Sequence, residues 1–412
     1  MGWIRKNQHS KMKTLLFFLF VIALSNSFVA QAVSGWTKKN NFIGGKRERA
    51  VAFSIGTFGY VATGVDTAEI VHKDLWQYNP MDDSWTQLAD LPGSARRDAV
   101  SFSINGFGYV GLGVDNVASV MGNKKSDFWK YNPTLNQWDS IAPFPGGGGN
   151  GVYSATAFSA DNKGFVCGGK IGPGIYSKQL WEYKPSNDQW IQRADFPGGV
   201  RYQLCSFSIN NIGYVGMGLN QDVYKKDFYK YNPGSNEWSE IAQFPAMERG
   251  GASTFVLNDK GYVCLGTNGG LQGDLLEYNP SVDMWFLRQS YGGSERKNAI
   301  SFVVNNKAYV GLGKGESGKK SSMYEYSASI LSETEMGVQA DFLMYPNPSN
   351  GEVHLEIGTS DETKLTVMDI NGVIVFSQEI FNDEALSLEN LPKGIYHMRL
   401  GDSKNSQKLI LE

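Results

Sequence analysis

Between residues 50 and 327, short apolar runs alternate with turn residues in a pattern that returns about every 50 residues. Each copy opens with small or β-branched residues leading to a phenylalanine, at Phe53, Phe102, Phe158, Phe207, Phe255 and Phe302. A turn rich in glycine or asparagine leads to a second run, Gly59-Tyr60-Val61 in the first copy and Ala308-Tyr309-Val310 in the last. Runs this short, β-branched or aromatic and bounded by turn residues, predict strands joined in hairpins. A third run pairs an aromatic or leucine with a tyrosine (Trp76/Tyr78, Trp129/Tyr131, Trp181/Tyr183, Tyr229/Tyr231, Leu276/Tyr278), and a tryptophan follows at Trp85, Trp138, Trp190, Trp238 or Trp285. Asn-Pro or a related turn separates these last two runs. Four strands per copy and six copies predict an all-β propeller, each sheet too small to bury both its faces alone.

The sixth copy stops at Tyr326, with Glu333 where its tryptophan belongs, while Trp36 stands unattached before the first copy. Moving that segment to the end completes a sixth blade and removes two edge strands. Glycines closing the second strands (Gly64, Gly113, Gly169, Gly218, Gly266, Gly313) imply close backbone approach or positive φ. The regularly spaced aromatics read as packing between neighbouring sheets. Asp74, Asp127, Asp227 and Asp274, four residues before the tyrosines, read as side chains satisfying turn backbone.

In this order of strands the repeat resembles the kelch family, over roughly residues 35–327. The family's double glycine survives here only as Gly168-Gly169. The resemblance implies a six-bladed kelch-type propeller over residues 33–327.

The two ends read differently. Lys11 and Lys13 precede an apolar run from Thr14 to Leu24, and Ala30-Gln31-Ala32 offers a small-residue cleavage site. Residues 1–32 are therefore expected to be a secretory signal peptide, with Met12 an alternative start. After a polar linker over 328–340, residues 341–412 carry Tyr345-Pro346-Asn347-Pro348, Asp369-Ile370-Asn371-Gly372, Leu391-Pro392-Lys393-Gly394-Ile395-Tyr396 and a terminal Lys408-Leu409-Ile410. Short strands with turn signals predict a small β-sandwich. This ordered set is similar to the C-terminal sorting domain of the type IX secretion system of Bacteroidetes. That resemblance implies handling by the secretion machinery, removal of the tail, and a protein released or attached to the outer cell surface, with no transmembrane anchor.

A net charge of −3 gives no general attraction to nucleic acid. Cys167, Cys205 and Cys264 fall in predicted strands and read as buried small hydrophobes. His72 is the one histidine between residues 33 and 327, too few for the copper site of galactose-oxidase-like propellers, and no zinc, calcium or phosphate-loop spacing appears. No catalytic residue, metal or cofactor is assigned. The run Gly146 to Gly149 reads as an insertion lengthening the entry to the third blade.

One polar column remains. Six residues before each phenylalanine stand Arg47, Arg96, Val152, Arg201, Arg249 and Arg296. In kelch propellers this position lies near a mouth of the central channel, so the five arginines are expected either to form a ring that binds carboxylates or to bond backbone carbonyls and a neighbouring blade's acid in a structural role repeated with the blade. The break at Val152 would mark where a ligand enters. The expected function is a binding module for a carbohydrate or protein ligand. The alternative is an enzyme on sugar acids resembling the sialic acid mutarotases, with Glu48, Asp98, Glu248 and Glu295 as acids or bases. Loops over 114–125 and 170–178 are the second place to look for a site.

Overall fold

A computed structural model describes residues 35–115, 123–328, 342–345, 347–357, 363–369, 373–380, 384–401 and 407–412. The predicted signal peptide and nearly all of the linker lie outside these residues, as does most of the 114–125 loop. The chain divides into two compact units, the first ending at Ala328 and the second beginning at Ser329. Among the described residues no helix is long and apolar enough to cross a membrane.

In the first unit six antiparallel sheets of four strands follow one another along the chain. Blade 1 is typical: Val51–Ile55, Phe58–Ala62, Leu75–Asn79 and Ser84–Leu88 pair in sequence order. The first strands of all six blades touch in a closed cycle around the axis, the sixth, Ile300–Val304, lying beside the first. Blade 6 takes its outer strand from the chain start, where Gly35–Lys39 pairs with Met323–Ser327 and Trp36 faces Tyr326. The closure read from the stray tryptophan is the closure observed.

The repeated residues explain why separate small sheets cohere. Each first-strand phenylalanine leans on the next blade, so a Cβ on Gly108 would stand 2.2 Å from the Phe53 ring. Five blades hold glycine in that column, where the ring lies so close, and blade 6 holds Ala308 in one cluster with Phe255. Tryptophan indoles stitch neighbours together, Trp138 donating to the Ala89 carbonyl at 2.9 Å and Trp190 to that of Ala142 at 2.9 Å. The tyrosine hydroxyls hold the turn between the third and fourth strands, as Tyr78 donates to Asp83 at 2.7 Å. The end of the second strand is left-handed at two successive residues, Leu112 at φ 63° and Gly113 at 89°. A Cβ on Gly113 would lie 2.6 Å from the Arg97 carbonyl oxygen, so only the second position demands glycine. This is the reason a Leu-Gly or Met-Gly pair serves where the kelch pattern has two glycines.

The second unit is a sandwich. Phe342–Tyr345, Glu352–Ile357 and Glu384–Ser387 form one sheet, and Thr363–Met368, Ile374–Ile380, Gly394–Leu400 and Gln407–Leu411 the other. Alternate residues of both, among them Val353, Leu355, Val367, Met398 and Leu409, close one apolar core.

Candidate functional site

The arginine column does not line the channel. Arg47, Arg96, Arg201, Arg249 and Arg296 are 0–1% exposed and lie inside their blades. Arg201 is representative: it donates to the Met217 carbonyl at 2.9 Å, the Gly198 carbonyl at 2.6 Å, and both carboxylate oxygens of Asp227 at 2.7 and 2.9 Å. Asp74, Asp127 and Asp274 clamp Arg47, Arg96 and Arg249 in the same way. In blade 6 Ser322 takes the acid's place, accepting from Arg296 at 3.0 Å. An aromatic ring covers most of the guanidinium groups, Phe196 over Arg201 and Phe244 over Arg249. The expected carboxylate-binding ring is therefore corrected: donors spent on backbone and aspartate cannot reach a ligand. The aspartates are likewise more than turn residues, for they neutralise the buried arginines. In blade 3 Val152 and Gln179 replace the arginine and its acid; Val152 is buried in an apolar cluster with Phe144 and Trp181, so no entrance opens there.

A different ring forms the mouth, two residues further along each copy: Arg49, Asp98, Ser154, Gln203, Gly251 and Asn298. All six are left-handed, with φ between 51° and 63°. Each peptide N–H donates to the carbonyl of its counterpart in the preceding blade, from Asp98 to Arg49 at 3.1 Å and Gln203 to Ser154 at 2.8 Å round to Arg49 to Asn298 at 3.2 Å. This closed cycle of six hydrogen bonds ties the blades together and leaves the side chains as the variable lining of a recess of about 110 Å3.

The lining is charged. Arg49 Nη1 reaches both oxygens of Asp98 at 3.0 and 2.8 Å, Arg97 donates to the same carboxylate, and Ser154 Oγ adds a bond at 3.1 Å. Burial pushes the Asp98 carboxyl up, but Arg49, Arg97 and Ser154 outweigh it and hold the group below its ordinary value. Asp98 chiefly raises the Arg49 guanidinium in turn. Glu48 accepts from Asn298 at 2.9 Å and lies 3.7 Å from Arg49 Nε. Of the four candidate acids, Glu48 and Asp98 join this cluster, Glu295 lines a separate cleft between blades 5 and 6, and Glu248 is exposed outside both.

Beside the ring, the hairpin of Lys170–Gly172 and Ile175–Tyr176 brings Lys170 Nζ 3.9 Å above the Tyr202 ring, which stacks on Tyr176 at 5.0 Å. Burial lowers the Lys170 ammonium and Asp222 partly offsets it. This hairpin lies in the 170–178 loop named from the sequence. The ring itself escaped sequence reading because its column varies from arginine to glycine. The column just before it varies as widely, from Glu48 and Arg97 to Gly250 and Lys297, so variability alone did not single the ring out.

Beneath the ring the channel is lined by the first strands, with Ser103 and Ser208 hydroxyls buried and unbonded by protein. His72 bonds Asp66 at 3.1 Å, and among the described residues no three metal-ligating side chains gather. The cysteines are buried, and burial pushes the Cys205 thiol up to about 12.

Residues 343–412 match the model of the secretion system C-terminal sorting domain. The second unit is such a domain. The protein is accordingly secreted or attached to the outer surface of the cell, handled by the type IX machinery. No curated protein matches the chain. Among solved structures, one described as the structure of YjhT aligns with a TM-score of 0.60 at 17% identity, covering 71% of this chain and 97% of that one. At that identity the likeness bears on the propeller fold alone.

Proposed function

We propose that the propeller, of kelch type, is an extracellular binding module whose mouth receives an anionic carbohydrate or protein group. In this reading a leader within residues 1–32 starts export and the sorting domain completes it. The observation that carries the reading is the charge at the mouth. Arg49, Arg97 and Lys170 gather at the ring and its flanking positions against Glu48 and Asp98, in a chain whose net charge is −3. The Gln203 amide points no side-chain hydrogen bond at any described residue, and Tyr176 and Tyr202 offer a stacking face beside it. A charged group sheltered among such donors gains roughly 1.5–3 kcal/mol per charge-assisted bond.

The second reading, a cofactor-independent sugar-acid mutarotase or epimerase, is favoured by carboxylates standing next to arginines at the mouth. Against it, Asp98 is held below its ordinary value, whereas a general acid working near neutral pH needs the opposite shift. The deciding experiment is a glycan array and a sugar-acid mutarotation assay on the same full-length protein. Binding without mutarotation supports the module, mutarotation supports the enzyme, and neither on any anionic ligand refutes the mouth as the site. Lys170→Met should weaken the binding about tenfold.

A further inference from the structure

Blades 5 and 6 leave between them a cleft of about 1010 Å3 that the mouth reading does not use. Its most telling residues are Lys297 and Lys314. They face each other across an antiparallel bridge, Lys297 N donating to the Lys314 carbonyl at 3.0 Å and Lys314 N to that of Lys297 at 2.9 Å. Like charges directly opposite one another repel. The same two positions elsewhere hold Glu48/Val65, Arg97/Val114, Tyr153/Lys170, Tyr202/Leu219 and Gly250/Thr267, so blade 6 alone sets cation against cation. Among the described residues neither ammonium has an ion-pair or hydrogen-bond partner. Their neighbours in the next turn are engaged: Lys319 donates to Glu69 at 2.7 Å and to the Asp66 carbonyl at 2.6 Å, and Lys320 to Ser317 at 2.6 Å.

We infer that Lys297 and Lys314 are the anion subsite of a cleft that takes a sugar carrying a sulfate or phosphate ester. A tetrahedral ester presents several terminal oxygens, so one group accepts from both ammoniums and removes their repulsion. The rest of the lining suits a hydroxylated ligand: Ser294 and Thr267 offer hydroxyls, and Glu295 and Glu316 accept hydrogen bonds from sugar hydroxyls while repelling a second charge. The volume matches a small oligosaccharide. The inference stands on blades 5 and 6 and does not depend on the mouth.

The test is calorimetric titration of the full-length protein at low salt with dextran sulfate, dextran phosphate and neutral dextran. One or both charged polymers should bind, their relative affinity identifying the ester, and neutral dextran should not. In the double variant Lys297→Gln, Lys314→Gln the affinity should fall at least tenfold, while Lys170→Gln at the mouth should change it less than twofold. Relief of repulsion should leave the double variant's Tm without ligand unchanged or raised. Failure of both charged polymers to bind, wild-type affinity in the double variant, or a lowered Tm that marks the lysines as structural would each overturn the inference. Loss in Lys170→Gln alone would do the same while leaving the mouth reading intact.

Discussion

Two columns of the repeat lie only two residues apart and could hardly differ more. One holds arginine in five blades of six, each sealed inside its sheet and bonded to carbonyls and, in four blades, to aspartate. The other reads Arg49, Asp98, Ser154, Gln203, Gly251 and Asn298, shares one backbone conformation, and turns five different side chains and one glycine toward the channel mouth. Regularity marks what every blade needs to stand. A ligand has no sixfold symmetry, so residues that serve it break the pattern while the backbone keeps it.

The largest effect on this contrast comes from opening the ring that both columns share. Deleting residues 35–39 removes the outer strand of blade 6 and Trp36, which packs against Tyr291 and Tyr326 at 4.8 and 4.9 Å. Trp36→Ala alone should cost about 3–5 kcal/mol, and the deletion more. Thermal unfolding measures both, and an unchanged Tm would show that closure is not what holds the blades.

Next comes the regular column. Arg201→Met leaves the half-buried Asp227 without its ion-pair partner and should cost up to about 3 kcal/mol, the low end of the penalty for orphaning a sheltered charge. Copying blade 3 into blade 4, with Arg201→Val and Asp227→Gln together, should cost less than half as much. Equal losses by urea denaturation would mean that the pair, rather than the orphaned charge, carries the stability.

Much of this was legible in the sequence. Blade number, strand order, closure through Trp36 and the sorting domain all follow from residues whose spacing is dictated by packing. The arginines kept two readings, channel ring or bonds inside the blades, because spacing along the chain cannot tell whether a charged side chain points into the channel or back into its sheet. A clue was present: arginine and the acid before the third strand are both missing from blade 3, as partners would be. The mouth ring was illegible for a deeper reason. What its residues share is a left-handed backbone closed by hydrogen bonds between blades, and neither leaves a residue type behind.

A smaller effect separates the columns by pH. Burial raises the Asp127 and Asp98 carboxyls, but their arginine partners prevail and both lie below the ordinary value when folded. Their contribution is complete above the unfolded pKa, about 4, and is lost as pH falls through the lower folded values. Urea midpoints should therefore drop from pH 5 toward pH 2. Asp98→Asn should be less stable than wild type at pH 7 and lose less on acidification. A parallel slope would remove Asp98 from the titrating set.

The smallest expected effect is the most discriminating. Gln203 stands at φ 51° with an amide that bonds no described side chain, in a column where blade 5 already uses Gly251 at 63°. A non-glycine residue held left-handed costs about 1 kcal/mol or more. Gln203→Gly removes that strain but adds chain entropy to the unfolded state, which returns roughly 0.5–1 kcal/mol. The backbone bond from Gln203 to Ser154 survives, because it belongs to the peptide group. Stability should thus stay within about 0.5 kcal/mol of wild type, or rise slightly, whereas Arg201→Met two residues away costs up to about 3 kcal/mol. If Gln203 is kept for the mouth, the variant should still weaken ligand binding severalfold. Should it destabilise by about 2 kcal/mol, the glutamine supports the ring as the arginines support the blades, and irregularity in the ring would no longer mark the residues that meet a ligand.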